Sequence, residues 1–191
     1  MVLKNLNSKV LLICATILFP CLVSAGGQLT PGDYIEIREL IEAYPAILDT
    51  CVNSGYDYAD QYTEDGTFGV SAKWGDDGYA WYKGREELAM AAGGGKNGCR
   101  ERSPRYHHLV VSPIIRATAE GAHATTTLLM ITDGAGDKPS KIQWQGGYED
   151  YLVKTKKGWR FKSRRHVWPG YDWPATREEM AKRLARERAN D

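Results

Sequence analysis

In Arg105-Tyr106-His107-His108-Leu109-Val110-Val111-Ser112-Pro113-Ile114-Ile115-Arg116-Ala117 two adjacent histidines open an apolar run, Leu109 to Ile115. It reads as a strand, and the side chains of neighbouring strand residues point to opposite faces. One of His107 and His108 therefore faces a core or cavity while the other faces out. A histidine aimed into an apolar interior is costly unless something pairs with it. The inward one is thus either structurally satisfied or poised for chemistry.

Three further strand candidates follow: His123–Asp133, Ile142–Lys154 and Trp159–Trp168. Turns at Glu120-Gly121, Gly134 to Pro139 and Lys156-Lys157-Gly158 separate them. Upstream the pattern is helical. Thr30 is an N-cap, Pro31 takes the first helical position and Asp33 sits in the first turn. Tyr34, Ile37, Ile41, Tyr44 and Leu48 then recur at helical spacing up to Asp49, with Pro45 expected to kink the segment. A short second helix is expected over Tyr56–Tyr62, a first strand over Thr67–Val70 and a third helix over Arg85–Ala92, after a glycine-rich stretch from Trp74 to Tyr79. Helices first and a strand meander after is the α+β pattern, with helices on one face of an antiparallel sheet.

The ends read differently. Lys4 and Lys9 precede the unbroken apolar stretch Val10 to Val23, and Val23-Ser24-Ala25 offers a cleavage site. Residues 1–25 are expected to be a cleaved secretory signal peptide that leaves no stable membrane span. The domain proper is then 26–174. Residues 175–191 form a charged C-terminal helix with a capping box at Thr176/Glu179 and a thin apolar stripe, Met180 and Leu184. Its mixed signs fit a solvated helix better than a partner-binding one.

Removing Lys4 and Lys9 moves the formal charge from +1 to −1. That near-neutrality argues against nucleic acid as a partner. Cys14 and Cys21 leave with the signal, so Cys51 and Cys99 remain, and in an exported, periplasmic or secreted chain they suggest one disulfide.

Chemistry has three candidate forms. The histidines, at 107, 108, 123 and 166, show no metal-binding spacing, and strand neighbours cannot ligate one ion, so no metal is expected. Ser112 lacks any nucleophile context. The third form is a histidine–carboxylate pair. Asp49 ends an apolar helix face and needs a partner, and His108 would satisfy it while Asp49 fixes the imidazole's orientation. The bland alternative is a structural pair without turnover.

At this point the residues resemble a family. Leu29-Thr30-Pro31 through Ile41, Tyr44 to Asp49, Tyr58 to Phe68, Lys83 to Leu88, Arg105 to Val110, Gly147 to Val153, Gly158 to Phe161 and Arg164-Arg165 are similar, in order and spacing, to SnoaL-like proteins of the NTF2-like superfamily. The resemblance implies a cone of three N-terminal helices packed in a strongly curved, mixed but mainly antiparallel sheet, with an apolar pocket inside. Relatives include scytalone dehydratase, bile acid 7α-dehydratase, polyketide cyclases and ketosteroid isomerase. They act on small cyclic or polycyclic molecules by proton transfer, generally without cofactor. Other members only bind small molecules or assemble. Relatives commonly pair through the open face of the sheet, which implies a homodimer or homotrimer.

The dehydratase-like pattern implies Tyr44 and Asp49, five residues apart on the first helix, and His108 on the following strand as catalytic residues. Tyr58, Trp144 and Tyr148 would line the pocket for a small hydrophobic cyclic substrate. One of Arg164 and Arg165 would face it. Pro45 and the insertion around Cys51 depart from the pattern on either side of Asp49.

Overall fold

A computed structural model describes residues 27–76, 78–100, 106–134 and 138–169, with Glu178, Ala181, Lys182, Ala185, Arg186 and Ala189 in the tail. The signal peptide expected over 1–25 lies outside the described residues. So does most of the expected C-terminal helix, although those six tail residues are helical and exposed.

Helix α1, Pro31–Thr50, starts where its capping signals place it. The Thr30 hydroxyl accepts from the Asp33 N–H, and Asp33 accepts from the Thr30 N–H at 2.9 Å. The helix runs through Pro45 and ends where Cys51 turns left-handed, at φ 52°. Ile37, Ile41, Tyr44 and Leu48 form its buried stripe. Tyr34, expected in that stripe, is 43% exposed. Asp33 takes the inner position there instead, accepting from the Trp159 indole N–H at 2.9 Å and from Lys154 at 2.6 Å. These contacts, Lys154 foremost, hold the Asp33 carboxyl well below the usual range.

A single 3₁₀ turn, Val52–Gly55, leads to α2, Tyr56–Ala59, shorter than the expected Tyr56–Tyr62. Tyr62 opens strand β1, Tyr62–Ser71, because its ring packs between Tyr58 and Phe161, with centroids 5.3 Å from each. The sequence pattern missed β2, Tyr79–Lys83. It is a short edge strand whose mostly exposed residues show no alternation of period two. Helix α3 is Gly84–Ala91. The four long strands, β3 (Tyr106–Ala117), β4 (Ala122–Thr132), β5 (Lys141–Thr155) and β6 (Gly158–Val167), agree with the expected segments within a residue or two.

The six strands make one sheet in the order β2-β1-β6-β5-β4-β3. All neighbours are antiparallel except β1 and β6, so the expected mixed, mainly antiparallel architecture holds. Register breaks in every strand pair bend the sheet around the helices, as bulges do. The break in edge strand β3 lies at Ser112-Pro113, with Ser112 at φ 54°. A bulge on an edge strand tolerates a proline that a central strand would not. It also reverses which side chains point inward: His108 and Val110 before it, Ile115 and Ala117 after it.

Candidate functional site

The alternation of β3 separates the two histidines. His107 points outward, where its Nε2 lies 2.7 Å from Asp133 in an exposed pair. His108 points into the concave face, across from Met130 on β4. There it meets Asp49 from the last turn of α1. Asp49 Oδ2 accepts from the His108 backbone N–H at 2.7 Å, and Oδ1 lies 2.5 Å from Nδ1. A carboxylate can only accept, so Nδ1 carries a proton, and in the neutral imidazole Nε2 holds the lone pair. No described residue hydrogen-bonds to Nε2. The two side chains are 12% and 11% exposed, so the pair is sheltered yet reachable. Neither Pro45 nor the Cys51 insertion turns Asp49 away from His108.

Cys51 and Cys99 are bonded, with Cα atoms 6.1 Å apart. The bridge anchors the chain two residues beyond Asp49, where Cys51, Asn53 and Ser54 all have positive φ. Such backbone is costly for side chains other than glycine and persists only where the surroundings impose it.

Deeper in the cone Tyr44, Tyr58 and Tyr148 are enclosed. The Tyr44 hydroxyl donates to that of Tyr148 at 3.4 Å, and the Tyr58 and Tyr62 hydroxyls are 2.7 Å apart. Burial pushes all four phenols above their ordinary pKa, which keeps them neutral donors. Beneath them lies Arg164, fully buried. Its guanidinium forms a two-point pair with Asp150, Nε to Oδ1 at 2.7 Å and Nη2 to Oδ2 at 2.9 Å. It stacks 3.8 Å from the Tyr44 ring, 4.2 Å from Phe161 and 4.4 Å from Tyr148. Burial opposes the Arg164 charge, but Asp150 beside it holds its pKa above the ordinary arginine value. Burial also pushes Asp150 up, against the pull of Arg164.

Arg165 points to the other side of the sheet, where it donates to Glu149 at 3.1 Å. Glu149 also lies 2.9 Å from His123 Nε2 and accepts from the Gly75 N–H. Arg164 is therefore the arginine inside the cone. The sequence contained a signal for this that alternation alone does not use. Glu149-Asp150 and Arg164-Arg165 lie in register on adjacent strands, so one acid–base pair must face in and the other out.

Trp144 sits at the rim, 38% exposed. Its ring clusters with those of Tyr106, His166 and Trp168 at centroid distances of 6.4, 6.4 and 5.4 Å. His166 was not singled out from sequence, because Lys162-Ser163-Arg164-Arg165 before it hides the strand's alternation. It is buried, and that burial lowers its pKa to about 4. Among the described residues no three of His, Cys, Asp and Glu converge as a metal site would require. A separate open groove, lined by Tyr34, Ile35, Arg38, Pro113 and Ile115, contains none of the candidate site residues.

Known proteins share this fold. A family model described as a SnoaL-like domain matches residues 32–165. No curated protein matches the sequence. Among solved structures, an NTF2-like protein with a cystatin-like fold from Novosphingobium aromaticivorans is 19% identical, with a TM-score of 0.58 over 74% of this chain and 84% of that one. A Mycobacterium tuberculosis protein described as of unknown function, solved as a single-residue variant, is 25% identical with a TM-score of 0.55, over 70% and 74%. A Catenulispora acidiphila protein in complex with S-DNPA is 23% identical with a TM-score of 0.53, over 72% and 95%.

Proposed function

The chain belongs to the SnoaL-like family, which includes polyketide cyclases and isomerases, and on that footing we propose that it is a cofactor-independent lyase or isomerase of dehydratase-like type. Its substrate is a small cyclic or polycyclic molecule with a proton to lose beside a carbonyl. The observation that carries this reading is the Asp49–His108 pair, with Nδ1 engaged and Nε2 free of any described partner. His108 Nε2 takes the proton, and Asp49 holds the ring in position and offsets the positive charge that develops on it. The Tyr44 hydroxyl is engaged with Tyr148, so Tyr148, backed by Tyr44, offers the O–H to the developing enolate or leaving hydroxyl. Arg164 and Asp150 support that pair from below.

Two features accompany the proposal. An exported, oxidising destination is supported by the Cys51–Cys99 bridge. Pairing of two or three copies across the outer sheet face is supported by exposed Leu109, Val111 and Ile114 on β3.

The test is deuterium exchange. The purified mature chain is incubated in heavy water with a panel of polycyclic ketones, and loss of the proton beside the carbonyl is followed by NMR. Wild type should accelerate exchange for at least one ketone, and His108→Gln should lower the rate by about 10²–10⁴. A ketone that binds, seen by tryptophan fluorescence, without exchanging would favour the non-catalytic binding reading. Equal rates in wild type and His108→Gln would remove His108 from the mechanism.

A further inference from the structure

His166 Nε2 is buried and has no hydrogen-bond partner among the described residues. The residue projects from β6 into the same concave face as His108, beside Tyr148 at 5.7 Å between ring centroids. Its ring lies nearly parallel to those of Trp144 and Trp168, at interplanar angles of 25° and 24°. Strand β5 has glycine alongside: a Cβ at Gly146 would come within 3.2 Å of Nε2. An unpaired buried polar atom costs stability, and a phenylalanine of similar shape would avoid that cost. The orphaned atom therefore calls for a partner from outside the chain.

Building on the proposed function, we infer that His166 is a ligand-binding residue: its Nε2 pairs with an uncharged oxygen of a planar ligand whose ring lies against Tyr106, Trp144 and Trp168. A hydroxyl or carbonyl suits this position, because an imidazole kept neutral offers one hydrogen-bonding atom there and no charge. A carboxylate would be desolvated without compensation. Within the proposed reaction His166 thus holds a ligand oxygen while His108 removes the proton.

Equilibrium dialysis of the purified chain at pH 7.5 with 2-naphthol, naphthalene and 2-naphthoate tests this without needing turnover. Wild type should bind 2-naphthol about fivefold or more tighter than naphthalene, the size of one buried hydrogen bond, and 2-naphthoate most weakly. His166→Phe should bind naphthalene as wild type does and lose the preference for 2-naphthol, with a thermal midpoint equal to or above that of wild type. His166→Gln, which carries a polar atom near the Nε2 position, should restore most of the preference. His108→Gln should keep it, so failure of the proton-transfer reading and failure of this one are separable. The inference is overturned if wild type binds neither arene or shows no preference, if His166→Phe keeps the preference, or if His108→Gln abolishes it.

Discussion

Removing Arg164 should make the stability of this protein depend on pH in a way that removing Asp150 does not. The two groups are fully buried and pair through two hydrogen bonds. Arg164→Met keeps much of the packing against Tyr44, Tyr148 and Phe161 but leaves Asp150 alone. Burial already pushes the Asp150 carboxyl up beside a cation, so without that cation it should hold its proton at neutral pH. An unfolded aspartate loses its proton near pH 4, so above that pH the folded variant binds one proton more than the unfolded chain. Stability relative to wild type should then fall by about 1.4 kcal/mol for each pH unit, or about 2.7 kcal/mol between pH 5 and 7. Asp150→Asn instead leaves a buried guanidinium that cannot shed its charge, at a cost of about 3–5 kcal/mol that is the same at both pH values. Urea denaturation at pH 5 and 7, read by tryptophan fluorescence and extrapolated linearly, measures both. The double variant Arg164→Met/Asp150→Leu should recover most of the loss. If the Arg164→Met difference is flat from pH 5 to 7, Asp150 is not desolvated as described and the reasoning fails.

Other outcomes follow from the same geometry. Replacing Cys51 and Cys99 with serine should cost about 4 kcal/mol by the chain-entropy relation for a loop of 48 residues, measured by denaturation with and without reductant. Thiol labelling of the native protein should find neither cysteine free. Wild-type stability should fall as pH drops from about 6.5 to 4. In that window unfolded histidine takes a proton that folded His166 refuses, a loss of about 3 kcal/mol that His166→Phe abolishes. Asp33 works at lower pH. Its depressed carboxyl stabilises the fold above the ordinary aspartate pKa, and that support is lost as pH falls further, so Asp33→Asn should flatten the acid limb of the melting curve. Thr30→Ala should cost about 1 kcal/mol through loss of the N-cap.

The elements that sequence revealed most clearly are those whose pattern is local. The cap of α1 and its stripe from Ile37 to Leu48 are written in spacing alone, as are the four long strands. Three features were hidden by tertiary causes. Strand β2 is short and exposed at the sheet edge. Tyr62 leaves the helix to pack between Tyr58 and Phe161. The bulge at Ser112-Pro113 changes the inward set of β3 partway along, so the phase of Ile114 and Ile115 says nothing about His108. Of the candidate site, the encounter of Asp49 with His108 was expected and is present. The choice between Arg164 and Arg165 required the register of β5 against β6, and His166 required seeing which polar atoms have no partner.

The strand order also constrains when this molecule can come into being. The last strand among the described residues, β6, lies between β1 and β5, and its pairing with β1 spans about half the chain. A chain lengthening from its N-terminus holds β1 unpaired on that side until residues 158–167 emerge. Contacts so distant in sequence form late and slow the search. β6 also carries Arg164 and His166, so closing the sheet and completing the interior of the cone become a single kinetic event. Truncation before residue 158 should leave a chain that exposes the open edges of β1 and β5 and aggregates.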